Sequence, residues 1–183
     1  VIVAVIPALI IGAIFAKKIH LYLFSPVTVS IALIVGGIIL ILIEIKMKRK
    51  NIDAVQKVSY FTAFFIGCFQ CLAMIPGTSR AAATIIGAML LGLTRKNAAE
   101  FSFFLAIPTM VAASAYSLYK TGFKLTGMEW VTLATGFIVS FLVAWVVIAG
   151  FMKFIQRKDF TLFGYYRIVL GIFVLLYFTL KVA

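Results

Sequence analysis

Residues 71–87 read CLAMIPGTSRAAATIIG and place a single arginine, Arg80, between Pro-Gly-Thr-Ser and three alanines, with no other charge nearby. Inside a bilayer an ionised guanidinium costs from about 3 kcal/mol upward, so Arg80 is expected to face a polar cavity or a fixed anion. The plainer alternative is an arginine that snorkels to the interface beside a structural turn. The neighbours favour an anion. Thr78 or Ser79 is suited to cap a helix that starts after Pro76-Gly77, which leaves the first-turn N–H groups and the positive dipole end aimed where the guanidinium points. The hydroxyls of Thr78, Ser79 and Thr84 add neutral donors, Thr84 lying a little over one turn along that helix. A guanidinium fork matches two phosphate oxygens at once, so phosphate or pyrophosphate is the natural ligand.

Other polar residues admit structural readings first. Cys68 and Cys71 form Cys-x-x-Cys, but both sit in an apolar helical stretch far from His20, the one histidine, and read as small helix-packing residues instead of a redox or metal pair. Glu100, three residues after Asn97, fits a capping box. Gln70, before the break, is placed to hydrogen-bond across it and is a candidate substrate contact together with Gly77 and Thr78. His20, Glu44 and Asp53 read as solvated loop residues. Ala81, Ala82, Ala83, Gly87 and Ala88 keep the second arm thin, which permits close helix approach and leaves room for a head group.

These residues must be positioned by helices in lipid. The chain has 183 residues, 64% of them hydrophobic, and a mean hydropathy of +1.19, more apolar surface than one small water-soluble core hides. Its 17 basic residues against 5 acidic ones fall in short clusters between apolar runs, which reads as loop charge beside a membrane and not as a nucleic-acid surface. A span of ~30 Å needs about 20 residues. Residues 1–16, 26–45, 101–119, 130–151 and 165–180 read as spanning helices, with Tyr116, Tyr119, Trp130, Tyr165 and Tyr166 at headgroup level and a kink at Pro108. The chain opens at Val1 inside an apolar run, without a methionine, basic n-region or cleavage-site pattern, and is read as part of a longer polypeptide.

Residues 58–93 differ. Their first arm ends at Pro76-Gly77, and the second, residues 80–93, gives only about 21 Å of helix. This is the pattern of a re-entrant hairpin, whose irregular backbone lines protein or a wet cavity. If the hairpin returns to its starting face, the loops at 46–57, 94–99 and 152–161 share one side with ten Lys and Arg, against five on the other (Lys17, Lys18, Lys120, Lys124 and Lys181). The positive-inside tendency then puts the richer loops in the cytoplasm and the hairpin tip toward the outer face. The fold class expected is all-α, a polytopic membrane bundle forming one membrane domain over 1–183.

The stretches GCFQCLAMIPGTSRAAAT and AAEFSFFLAIPTM resemble the signature region of the bacterial undecaprenyl-pyrophosphate phosphatase family, the bacitracin-resistance type of membrane phosphatase. The family pattern Pro-Gly-x-Ser-Arg-Ser, then Gly or Ala, x, Thr is met at Pro76, Gly77, Ser79, Arg80, Ala82 and Thr84; Ala81 departs from it, where the family has a second serine. The resemblance covers nearly the whole chain and corresponds to the last two thirds of the family's length. It implies two inverted repeats, each with a re-entrant hairpin, around a cavity open to the periplasm in the bacterial inner membrane. It also implies a divalent cation, Mg or Ca, whose glutamate ligands belong to an earlier hairpin that this sequence does not contain, so no metal ligand is assigned here.

The expected activity is hydrolysis of a polyprenyl pyrophosphate to its monophosphate and inorganic phosphate, with Arg80, Ser79 and Thr84 as catalytic candidates, the lipid tail between helices, and a homodimer admitted. Ser79 has no general base near it in sequence, so a donor role is favoured over a nucleophilic one. An acid-phosphatase-type site would need a histidine and an aspartate where Ile86 and Leu90 stand. The alternative of another class is a transporter or flippase of a phosphorylated lipid or anion, which also uses hairpins and midplane anion sites.

Overall fold

The computed structural model describes residues 1–46, 55, 58–122 and 125–182. Lys48, Arg49, Lys50, Asp53, Lys57 and Lys124 lie outside the described residues, as do the side chains of Lys17, His20 and Arg157. The described chain is helical, without a β-strand: α1 (Ile2–Leu23), α2 (Pro26–Lys46), α3 (Tyr60–Cys71), α4 (Arg80–Leu90), α5 (Arg95–Thr121), α6 (Gly127–Arg157) and α7 (Thr161–Val182). Four helical stretches are long and apolar enough to cross a membrane: Pro26–Lys46, Arg95–Lys120, Gly127–Ile155 and Thr161–Lys181.

Most boundaries extend past the apolar runs, because good helix formers and caps, not hydropathy, decide where a helix ends. α1 continues through Lys17 and Lys18 to Leu23, although its apolar part, Ile2–Phe15, is shorter than a full span. Thr94 caps α5, its hydroxyl accepting from the N–H of Asn97, so the helix starts at Arg95 and Glu100 lies inside it; the capping box expected from Asn97 to Glu100 does not form. A capping box does open α6, where Thr126 and Glu129 bond reciprocally at 2.7 Å and 3.4 Å. Pro108 sits within α5, which stays helical through it.

α2 lies along α7, α1 along α3, and α4 between α3 and α5 with a further contact to α2. The α2–α7 seam is built on glycine. A Cβ on Gly37 would fall 2.7 Å from the Gly164 carbonyl, and one on Gly171 would fall 2.9 Å from that of Ser30, so the backbones touch, as helices do in lipid when small residues face each other. Ile66, Met89, Leu93, Phe101 and Leu105 form the centre of the core. By contrast, Gly127 through Gly150 of α6 are exposed on every face. The helix joins the bundle at its far end, where Phe151 and Phe154 pack edge-on against Phe103 and Phe163 at 5.6–5.7 Å.

One buried carboxylate ties an end of the bundle together. Glu44, read from sequence as solvated, is buried near the end of α2, pairs with Arg95 at the start of α5, and accepts from the N–H of Phe160 just before α7 at 3.4 Å. The α2 end, the α5 start and the α6–α7 turn, which carry or adjoin the basic clusters, therefore meet at the same end.

Gly37→Ala should lower the thermal stability of the detergent-solubilised protein by about 1–3 kcal/mol, because backbone atoms of α7 cannot yield to the new methyl. Gly136→Ala, with open space around its Cβ, should be neutral or stabilising by up to about 1 kcal/mol. Equal shifts for the two would contradict the glycine seam.

Candidate functional site

The interruption between α3 and α4 follows from Pro76. A residue before proline is pushed out of the helical region, and Ile75 is accordingly extended at φ −74°, ψ 119°. The α-helix therefore ends at Cys71, and a 3₁₀ turn at Leu72–Met74 precedes Pro76, earlier than the expected end at Pro76-Gly77. The arms, 12 and 11 residues long, pack against each other, with the Phe69 ring lying over Gly87. The Cys68 and Cys71 thiols on α3 are free, and Cys71 Sγ donates to the Gly67 carbonyl at 3.4 Å.

Gly77, Thr78, Ser79 and Arg80 make the turn into α4. Gly77 has φ +93°, and a Cβ there would meet the Val29 carbonyl at 2.5 Å, so glycine is required both by conformation and by contact with α2. Thr78 donates its N–H to the Ile75 carbonyl at 3.1 Å, and its hydroxyl has no hydrogen-bond partner among the described residues. Ser79 is the N-cap, its Oγ accepting from the N–H of Ala82 at 3.4 Å, with φ +65° and ψ 118°. Ser79 is the one described non-glycine residue with positive φ. Such geometry stores roughly 1–3 kcal/mol in a residue bearing a Cβ.

Because Ser79 takes the N–H of Ala82 with its side chain and that of Ala83 with its carbonyl, the N–H groups of Ser79, Arg80 and Ala81 stay without acceptors among the described residues. Arg80 is half-buried, and its Nη1 donates to the Ser102 carbonyl on α5 at 3.2 Å. Behind it, Thr84 is fully buried with its hydroxyl 2.6 Å from that of Ser102 and 3.0 Å from the Arg80 carbonyl. Three unpaired N–H donors, an oriented guanidinium and the Ser79 and Thr78 hydroxyls suit an anion with several oxygens.

The structure thus brings Gly77, Thr78, Ser79 and Arg80 together and sets Thr84 behind them, its hydroxyl engaged within the protein. Gln70 lies apart, buried on α3; its Oε1 accepts from Thr109 Oγ1 at 3.5 Å and its Nε2 is buried without a partner among the described residues. Two residues escaped the sequence reading. Ser102, polar in an apolar stretch, braces Arg80 and Thr84. Arg167 of α7, buried, donates Nη2 to the carbonyls of Gly77 at 2.9 Å, Thr78 at 3.0 Å and Ala32 at 3.4 Å. Both carry the signal that revealed Arg80, a polar group inside a hydrophobic run.

Replacing Ser79 separates strain from capping. Ser79→Gly relieves the positive φ while losing the cap, whereas Ser79→Ala loses the cap and keeps the strain. The glycine variant should therefore be the more stable by about 1 kcal/mol or more in thermal unfolding. An alanine variant as stable as the glycine one would contradict the backbone geometry at this residue.

The family model described as bacitracin resistance protein BacA matches residues 1–173. The chain is 56% identical over 180 residues to undecaprenyl-diphosphatase 1 of Clostridioides difficile (strain 630), covering 98% of this chain and 66% of that protein. It is 53% identical to undecaprenyl-diphosphatase of Fusobacterium nucleatum subsp. nucleatum, covering 96% of this chain and 68% of that protein. It is 47% identical to undecaprenyl-diphosphatase 2 of Pseudomonas fluorescens (strain Pf0-1), covering 94% and 62% respectively. The chain spans about two thirds of the length of these relatives. With four helices able to cross a membrane, and with the Pro-Gly-Thr-Ser-Arg turn at its centre, this chain belongs to the bacitracin resistance protein BacA family of integral membrane proteins.

Proposed function

We propose that these residues form the phosphate-binding part of a membrane phosphatase. It hydrolyses undecaprenyl pyrophosphate to the monophosphate and inorganic phosphate, recycling the lipid carrier of cell-wall synthesis. The carrying observation is the set of unpartnered N–H groups at Ser79, Arg80 and Ala81 beside the Arg80 guanidinium. Family membership and the names of the relatives support the same reading.

In the reaction, water adds to the terminal phosphorus as the bond to the bridging anhydride oxygen breaks, and charge spreads over the terminal phosphoryl oxygens. Arg80, held by Ser102, takes two of these oxygens in its fork, and the free N–H groups receive the growing charge without reorganising. Ser79 already accepts a bond from Ala82, and its own proton is available for a phosphoryl oxygen. Among the described residues no carboxylate or imidazole bonds to Ser79 Oγ, so a donor role suits it better than a nucleophilic one. Thr84 works through its brace on Arg80 and Ser102. Gln70, whose Nε2 is buried apart from the turn, is given no contact with the head group.

No group of three or more His, Cys, Asp or Glu side chains that could hold a metal ion converges among the described residues. The resemblance puts the ligands of the divalent cation in a hairpin outside this sequence, and no step is assigned to the ion. The meeting of α2, α5 and α7 ends at Glu44 supports a hairpin that enters from the cytoplasmic face with its tip toward the outer face of the plasma membrane.

Phosphate release from polyprenyl pyrophosphate, measured in detergent with Mg or Ca ions on the complete polypeptide containing these residues, tests the proposal. Arg80→Ala should lower kcat roughly 10²–10³-fold with the protein still folded. Arg80→Lys should restore little, since a point charge does not replace the fork. Ala81→Ser should leave the rate unchanged, because the donor there is the backbone N–H. Full activity of folded Arg80→Ala would overturn the assignment, and a folded wild-type protein that binds pyrophosphate without hydrolysing it would favour a transporter or flippase.

A further inference from the structure

Arg167 lies in the second turn of α7 with its side chain buried, where an ionised group is expensive, and it contacts none of the side-chain or N–H groups assigned to the phosphate. Its three acceptors are all backbone carbonyls. Two belong to the turn, Gly77 and Thr78, and the third, Ala32, belongs to α2, against which that turn is pressed. Gly36 makes the room for this side chain: a Cβ there would fall 2.6 Å from Arg167 Nη2.

The peptide geometry gives these bonds a consequence on the opposite side. The described peptides are trans, and in a trans peptide the C=O and the following N–H point in opposite directions. Drawing the Gly77 carbonyl to Arg167 turns the Thr78 N–H away, and it closes the turn onto Ile75. Drawing the Thr78 carbonyl to Arg167 turns the Ser79 N–H away, and that N–H is the first of the three unpartnered donors. Without a cation behind it, the Thr78–Ser79 plane, which has no other hydrogen bond, is free to flip and present the Thr78 carbonyl oxygen, which repels a phosphate, in place of the Ser79 N–H.

We propose that Arg167 is a positioning residue for the phosphate site: it holds the carbonyls of Gly77 and Thr78 on the far side of the turn, so that the anion meets N–H donors and Arg80 alone. The proposal rests on the reading of this turn as the phosphate site. It also accounts for the strained φ of Ser79, the junction between peptide planes fixed by Arg167 and the first turn of α4.

The test uses the complete polypeptide in detergent and compares wild type, Arg167→Met, Arg167→Lys and Gly36→Ala. Steady-state phosphate release from polyprenyl pyrophosphate and calorimetric binding of inorganic pyrophosphate are both measured per folded molecule. Arg167→Met should lower kcat roughly tenfold to a hundredfold, the size of effect that displaced donors produce, with little change in KM, which the lipid tail dominates. It should also weaken pyrophosphate binding. Arg167→Lys, which keeps a charged donor, should recover part of both losses. Gly36→Ala crowds Nη2 with the charge left in place and should lower kcat in the same sense by a smaller factor; it carries the test if Arg167→Met does not fold. A folded Arg167→Met with kcat and pyrophosphate affinity within twofold of wild type would overturn the proposal, as would Lys rescuing neither. If wild type binds pyrophosphate but releases no phosphate, the hydrolytic reading fails, while the pyrophosphate affinities still decide the role of Arg167.

Discussion

Irregular backbone surrounded by apolar helices is tolerated only where its polar groups find partners, and the turn from Ile75 to Ser79 is built around that constraint. Pro76 forces the break, and each carbonyl and N–H it frees must be answered. The Ile75 and Leu72 carbonyls are taken by local turns and those of Gly77 and Thr78 by Arg167. The Ala82 and Ala83 N–H groups fall to Ser79. Among the groups left without acceptors are the N–H groups of Ser79, Arg80 and Ala81, beside the Arg80 guanidinium. The anion site is thus built from donors that the start of α4 leaves unused.

The rest of the fold keeps that turn in place. The glycine seam between α2 and α7 brings Arg167 and Ala32 to the same turn. On the other flank, α5 supplies Ser102, which holds Arg80 by its carbonyl and Thr84 by its hydroxyl. Glu44 then fixes the ends of α2, α5 and α7 together. The two arginines act on opposite faces of the same few peptides, one behind them on carbonyls and one placed by Ser102 for a ligand.

The helices of α2, α5, α6 and α7 are legible because a run of apolar residues measured against bilayer thickness needs no tertiary information. Arg80 is legible for the same reason, as a charge that such a run does not tolerate without cause. Arg167 and Ser102 carry an equivalent signal, but an averaged hydropathy over α7 or α5 conceals a single polar residue. Glu44 was obscured by its lysine-rich neighbours; helical spacing from Gly37 through Leu40 and Ile43 puts it on the buried face of α2. Thr94 and Asn97 are both good caps three residues apart, and the local sequence does not say that Thr94 is the one that opens α5. The bond from Arg167 to the turn links residues 90 positions apart, and no local pattern encodes it.

The most direct measurement is a titration of the ¹⁵N-labelled complete polypeptide with inorganic pyrophosphate, following the amide signals of the α3–α4 turn. Chemical-shift changes concentrated at the N–H groups of Ser79, Arg80 and Ala81, with those of Ala82 and Ala83 little affected, are the predicted result. Pyrophosphate binding that leaves those three signals unmoved would contradict an anion site at this turn.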